Sequence, residues 1–167
     1  ELVGVFSKSD LVHPPQQELV LVDHNELSQA VKGAEDADIV EVLDHHRIGG
    51  SLTSSRPIRL TMEPVGSTCT LVARMYRQAK IDPTPGIALC MASGMISDTL
   101  MLRSPTTTDV DRDCLEWLQQ FCDVDLHEYA GEFFQVGSAL RSCTPAEVVR
   151  EDCKEFHDSG RRFSISQ

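Results

Sequence analysis

Two short apolar runs rich in β-branched residues, Leu19–Asp23 (LVLVD) and Ile39–Asp44 (IVEVLD), constrain this chain more than any other feature. Each has strand length, and a polar, helix-compatible stretch at 27–36 separates them, so the pattern predicts parallel strands joined by a crossover. Parallel strands bring their carboxyl ends to one edge of a sheet, where ligands bind in open α/β folds. Here both ends carry acids and histidines: Asp23-His24-Asn25-Glu26 after the first run and Asp44-His45-His46 closing the second. Carboxylate and imidazole groups meeting at one point suit Mn²⁺, Fe²⁺ or Zn²⁺ better than Ca²⁺, which prefers all-oxygen ligands. A third acid, Asp98, follows the apolar stretch ending GMISDT. Taken singly, each has a plainer reading: Asp23 and Asp44 as solvated strand ends, His45-His46 as a surface pair, Asp98 as a helix stop. Their joint arrangement is what points to metal.

The rest of the chain completes an α/β domain, a parallel sheet flanked by helices. Pro57–Glu63 alternates as a further strand, and Ser67 caps a helix over 68–79 with Leu71, Val72, Met75 and Tyr76 at helical spacing. Pro85 opens a second helix reaching Ile96, whose apolar residues nearly encircle it and predict deep burial. Thr108 is a candidate N-cap for a helix over 109–121, where Asp109 and Asp111 suit the positive end of the dipole. A fourth helix covers 126–139, a capping-box pattern starts at Thr144, and Lys154–Gln167 reads as two strands around His157-Asp158-Ser159-Gly160.

Charge and cysteine content narrow the function. Lys and Arg number 15 against 26 Asp and Glu, a net charge of −11, which argues against gripping nucleic acid through a basic surface. An anionic substrate stays open, because metals held by carboxylates attract phosphate. No apolar run approaches the ~20 residues that span a bilayer, and no signal-peptide pattern opens the chain, so the expectation is a cytoplasmic protein without a membrane partner. The six cysteines include no pair in CxxC spacing and are expected to be reduced and structural, with Cys90 buried in IALCMASGMI.

With Asp44-His45-His46-Arg47 after an apolar strand, Val22-Asp23-His24-Asn25-Glu26 before it, EPVGSTCT at 63–70, ISDTL at 96–100 and SPTTTD at 104–109, the chain resembles the DHH phosphoesterase superfamily. Within it, the resemblance is to the manganese-dependent family II inorganic pyrophosphatases, from about residue 18 to the end. It implies that Asp23 is shared by two metal ions, and that His45 and Asp98 complete the shell of one. His46 would contact the substrate phosphate or help the leaving group, Asp44 would act from behind the ligands, and Arg47 could add a local cation. The implied cofactor is Mn²⁺, with Co²⁺ an option, the implied substrate is pyrophosphate, and the implied assembly is a homodimer. Relatives in the superfamily that cleave polyphosphate, oligonucleotides or cyclic dinucleotides give a second reading, and a non-catalytic nucleotide sensor a third.

Members of the family carry a further His and two Asp ligands on an earlier strand and loop, and a basic motif on a second domain. Neither is expected here, so three ligands predict weak metal binding and little hydrolysis by this polypeptide alone. Gly4-Val5-Phe6-Ser7-Lys8-Ser9-Asp10-Leu11 resembles the end of a CBS regulatory domain. The expected organisation is thus a CBS remnant at 1–14, a DHH domain at 15–143, and a linker with the start of a second domain at 144–167. Ser7 and Asp10 would belong to an adenine-nucleotide site in the parent enzyme.

Overall fold

The computed structural model describes residues 7–8, 17–50, 52–54, 56–138, 144, 146–147, 150, 153–158 and 160–166. The chain divides into two compact units, Glu1–Leu126 and His127–Gln167.

The first unit holds a three-stranded parallel sheet in the order β1 (Glu18–Val22), β2 (Asp38–Asp44) and β3 (Arg59–Met62). The parallel pairing predicted for the two apolar runs is present, with an irregularity in register between Leu19 and Val20. The crossover between them contains two single 3₁₀ turns, Leu27–Gln29 and Ala34–Asp36, rather than an α-helix. Gly33, at φ 95°, starts the second turn in a left-handed conformation that an α-helix spanning 27–36 would not allow. Leu21, Ile39 and Val42 bury against Leu27, Ala30, Leu52 and Ile58 from these turns and the following loop.

Three helices follow: α1 (Thr68–Ala79), α2 (Pro85–Thr99) and α3 (Asp109–Gln119). Helix α1 packs on β2, and the three helices pack on one another, with Leu43, Val65 and Leu71 joining sheet to helix. Ser67 caps α1 as predicted, its hydroxyl accepting from the Cys69 amide. Thr108 caps α3 in a full capping box, with the Asp111 side chain returning to the Thr108 amide.

Helix α2 departs from expectation in two ways. It runs three residues past Ile96, because the Thr99 hydroxyl donates to the Met95 carbonyl and its oxygen accepts from the Leu102 amide, carrying the turn to its end. Asp98 is therefore inside the last turn rather than beyond it. The deep burial predicted from its composition holds for Ala88, Met91, Ala92, Met95 and Ile96, but Ile87, Cys90, Ser97 and Asp98 form an exposed face. Cys90 is thus not the buried hydrophobe expected: it is exposed on this face, while Ala88, Met91, Ala92, Met95 and Ile96 supply the buried side of α2. The other described cysteines, Cys69, Cys114, Cys122 and Cys153, are free and buried or partly so, and Cys143 lies outside the described residues.

In the second unit, most of α4 (Leu126–Gly137) precedes an antiparallel hairpin of β4 (Cys153–Asp158) and β5 (Arg161–Ser166), the two strands predicted there. Phe156 and Phe163 stack across it. The Thr144–Glu147 capping box is present in its side-chain bonds. Among the described residues no helix is long and apolar enough to cross a membrane. The CBS-like opening lies outside the described residues except for Ser7 and Lys8, both exposed, so Asp10 has no described position.

Candidate metal centre

The carboxyl ends of β1 and β2 converge on Asp23, His45 and His46, each offering a ligand atom within 4.8 Å of the others. Asp23 is placed just past β1, where its amide donates to the Leu43 carbonyl of the neighbouring strand at 2.9 Å. Its backbone is left-handed, at φ 67°. Asp tolerates this conformation better than most residues, and such angles cluster at functional sites. The turn leaves the Asp23 carboxylate 57% exposed and 3.5 Å from His45 Nε2.

His45 is fixed from the opposite side of its ring, Nδ1 lying 3.0 Å from the Val65 carbonyl. A carbonyl can only accept, so Nδ1 bears a proton; in the neutral ring the lone pair is then on Nε2, the nitrogen beside Asp23, which is the tautomer a metal ligand requires. His46 is held in the same way by a carboxylate: its Nδ1 is 2.8 Å from Asp44 Oδ1. The two imidazoles meet edge to face, with centroids 4.3 Å apart.

Asp44 is fully buried and organises the loop. Its Oδ1 also accepts from the His45 and His46 amides, and its Oδ2 accepts from Asn25 Nδ2 at 2.6 Å. Burial by itself pushes the carboxyl up, but the hydrogen bonds from Asn25, His46 and His45 outweigh it and hold its pKa below the usual carboxylate value. Asn25, itself buried, donates further to the Arg47 carbonyl at 2.9 Å and accepts from the Gly49 amide at 2.6 Å. The segment after β1 and the loop after β2 are thereby joined through one side chain.

Of the residues expected from sequence, Asp23, His45, His46 and Asp44 are thus brought together. Asp98 is exposed and outside the 4.8 Å cluster; its Oδ2 accepts from the buried Ser67 hydroxyl at 2.6 Å. It belongs to the same neighbourhood, because Cys69, whose thiol burial pushes up, is pushed further by the charges of both Asp98 and Asp23. Arg47 is exposed and contributes its carbonyl to Asn25. His24 is not part of the cluster, and its Nδ1 lies 3.0 Å from the Val22 carbonyl. In the sequence Asn25 shows only as part of the strand-end motif and Ser67 only as a helix cap; neither carries a local sign of its partner.

A carboxylate oxygen, one imidazole whose free nitrogen is set by a carbonyl and another set by a carboxylate form a donor set that fits a divalent ion taking mixed oxygen and nitrogen ligands, such as Mn²⁺, Fe²⁺ or Zn²⁺.

Residues 5–95 match the DHH family, N-terminal domain. A Clostridium acetobutylicum protein named "probable manganese-dependent inorganic pyrophosphatase" is 40% identical over 151 residues, covering 90% of this chain and 48% of that protein. A Thermotoga maritima protein of the same name is 36% identical over 167 residues, covering 99% of the chain and 30% of its own length. The chain thus spans about half or less of the curated relatives it matches. A crystal structure of a Methanococcus jannaschii protein titled "putative family II inorganic pyrophosphatase" superposes with a TM-score of 0.70 at 32% identity, over 89% of this chain and 51% of that one.

Proposed function

The chain belongs to the DHH family, and we propose that it supplies the metal-binding part of a manganese-dependent enzyme hydrolysing inorganic pyrophosphate to two phosphates. The observation carrying this reading is the convergence of Asp23, His45 and His46 at the carboxyl ends of adjacent parallel strands, in a chain 36–40% identical to proteins named for that activity.

In this reading Asp23 and His45 Nε2 would hold metal, and Asp98 would join them on the side of Ser67. Divalent ions bound there supply a water of lowered pKa and neutralise charge on phosphoryl oxygens. The chain's own residues set the geometry. The Val65 carbonyl keeps His45 in the tautomer with a free Nε2. Asp44 Oδ1 accepts from His46 Nδ1 at 2.8 Å and holds that ring in one orientation, so that His46 Nε2 faces a phosphate oxygen leaving the anhydride and serves as the acid–base group there. Arg47, exposed beside it, adds positive charge facing an anionic substrate. Regulation by adenine nucleotides through a CBS pair, and a homodimeric assembly, extend the proposal to the whole enzyme; the former is favoured by the Ser7-containing motif.

The test is a chimera in which this chain replaces its counterpart in the C. acetobutylicum relative, assayed for Mn²⁺-dependent phosphate release. Turnover of pyrophosphate that falls by orders of magnitude with Asp23→Ala is expected. A folded chimera that ignores pyrophosphate and cleaves a dinucleotide or polyphosphate would move the assignment to another phosphoester substrate. One that turns over none of them would favour a non-catalytic role.

A further inference from the structure

The turn from Val65 to Ser67 meets two of the candidate ligands at once. The Val65 carbonyl accepts from His45 Nδ1 at 3.0 Å, and the Ser67 hydroxyl donates to Asp98 Oδ2 at 2.6 Å. Between these two residues, Gly66 is gripped by a carboxylate from a distant helix. Its amide lies 3.0 and 2.9 Å from Asp111 Oδ1 and Oδ2 on α3.

Asp111 is a demanding group to place there. It is fully buried, and a buried carboxylate is costly unless its lone pairs are filled. Here they are: Thr70 Oγ1 donates to Oδ1 at 2.5 Å, while the Thr108 amide and hydroxyl both donate to Oδ2 at 2.7 Å. Helix capping alone needs only the Thr108 bonds; those to Gly66 and Thr70 reach across to the start of α1. The fit at Gly66 is close, since a Cβ added there would come 2.6 Å from Thr99 Cγ2 and 3.0 Å from Asp111 Oδ2. Any larger residue would push the turn off the carboxylate.

We propose that Asp111 is a positioning residue for the metal centre, clamping the Val65–Ser67 turn so that His45 presents Nε2 and Asp98 is held in line. The inference rests on the reading of His45 and Asp98 as metal ligands. Asp111 itself touches neither. Its hold on them passes through backbone, which is why a carboxylate whose position in the sequence suggests only a helix cap acts on a site built from other elements.

The test uses the 167-residue chain with ¹⁵N-labelled histidine. In the unsubstituted chain the His45 ring shifts report a protonated Nδ1 and an unprotonated Nε2. Asp111→Asn is expected to mix the two tautomers and to weaken Mn²⁺ binding, followed by electron paramagnetic resonance, by about 10-fold or more, the usual cost of losing a group that orients a ligand. Thr70→Val, which removes one donor to the clamp, is expected to move both readouts less in the same direction, and it carries the test where Asp111→Asn does not fold. Leu118→Ala, a buried truncation on the same helix, controls for general loss of stability and should leave the His45 signal unchanged. The proposal is overturned when the folded clamp variants keep wild-type ring shifts and Mn²⁺ affinity, or when Leu118→Ala shifts them equally. Absence of Mn²⁺ binding in the unsubstituted chain counts against the metal reading alone, and the His45 ring signal then decides the present inference.

Discussion

Removing the Asn25 side chain should destabilise the chain by an amount that its bonds set. Asn25→Ala deletes a 2.6 Å bond to the buried Asp44 carboxylate, a 2.9 Å bond to the Arg47 carbonyl and a 2.6 Å bond from the Gly49 amide. A bond to an ionised group contributes about 1.5–3 kcal/mol and a neutral one about 0.5–1.5 kcal/mol. Water can reach the Arg47 and Gly49 groups once the side chain is gone, so their loss counts at the low end. The Asp44 term counts nearly in full, because that carboxylate is fully buried. The expected loss is about 3 kcal/mol, which for a urea dependence of about 1–3 kcal/mol per molar lowers the unfolding midpoint by roughly 1–3 M. A double-mutant cycle with Asp44→Ala isolates the pair, and coupling of about 1.5 kcal/mol or more is expected. Because the Asn25 bond is the largest influence lowering the Asp44 pKa, Asn25→Ala should also raise that pKa. A stability loss under about 0.5 kcal/mol, or coupling indistinguishable from zero within about 0.3 kcal/mol, would refute the assignment of Asn25 as the tie between the two loops.

Two further outcomes follow from the same geometry. Asp23 has a left-handed backbone at φ 67°, so Asp23→Gly should leave stability unchanged or raise it by about 1 kcal/mol while abolishing Mn²⁺ binding; a marked loss in urea midpoint would show that the carboxylate holds the fold rather than a metal. Asp44 and Asp111 both have pKa values below the ordinary carboxylate value, hydrogen bonds having overcome the upward push of burial. In each case the unfolded chain binds the proton more tightly, so the stabilisation is fully present above the unfolded pKa of about 3.9 and is lost as pH falls from there through the folded pKa. The loss steepens towards about 1.4 kcal/mol per pH unit for each such group, and urea midpoints measured down that range should fall less steeply for Asp44→Asn and Asp111→Asn than for the unsubstituted chain; parallel slopes would contradict the two shifts.

What the sequence discloses and what it hides divide along a physical line. The strands β1 and β2 and the residues at their ends were legible because a strand's apolar run is local, and because an acid and a histidine placed just beyond it must sit at the sheet edge whatever else the chain does. Helix caps were legible for the same reason, since Ser67 and Thr108 act on amides two or three residues away. The extent and burial of α2 were not, because the apolar residues around it do not say which face a neighbour will cover, nor that Thr99 would extend its last turn. The groups that orient the site were hidden more deeply. Asn25 acts on residues 19 to 24 positions away and Asp111 on residues 41 and 45 positions away, and a polar side chain gives no local sign of being buried with partners that distant. Asp111 does show a trace, because Thr108-Asp109-Val110-Asp111 has the spacing of a capping box. A capping carboxylate bonded only to its own helix would gain nothing from full burial. Zero exposure at Asp111 therefore implies donors from another element, and the Gly66 amide and Thr70 hydroxyl are those donors. The ligands are written at strand ends, whereas the groups that aim them are written wherever the fold can bring a buried acceptor to the right turn.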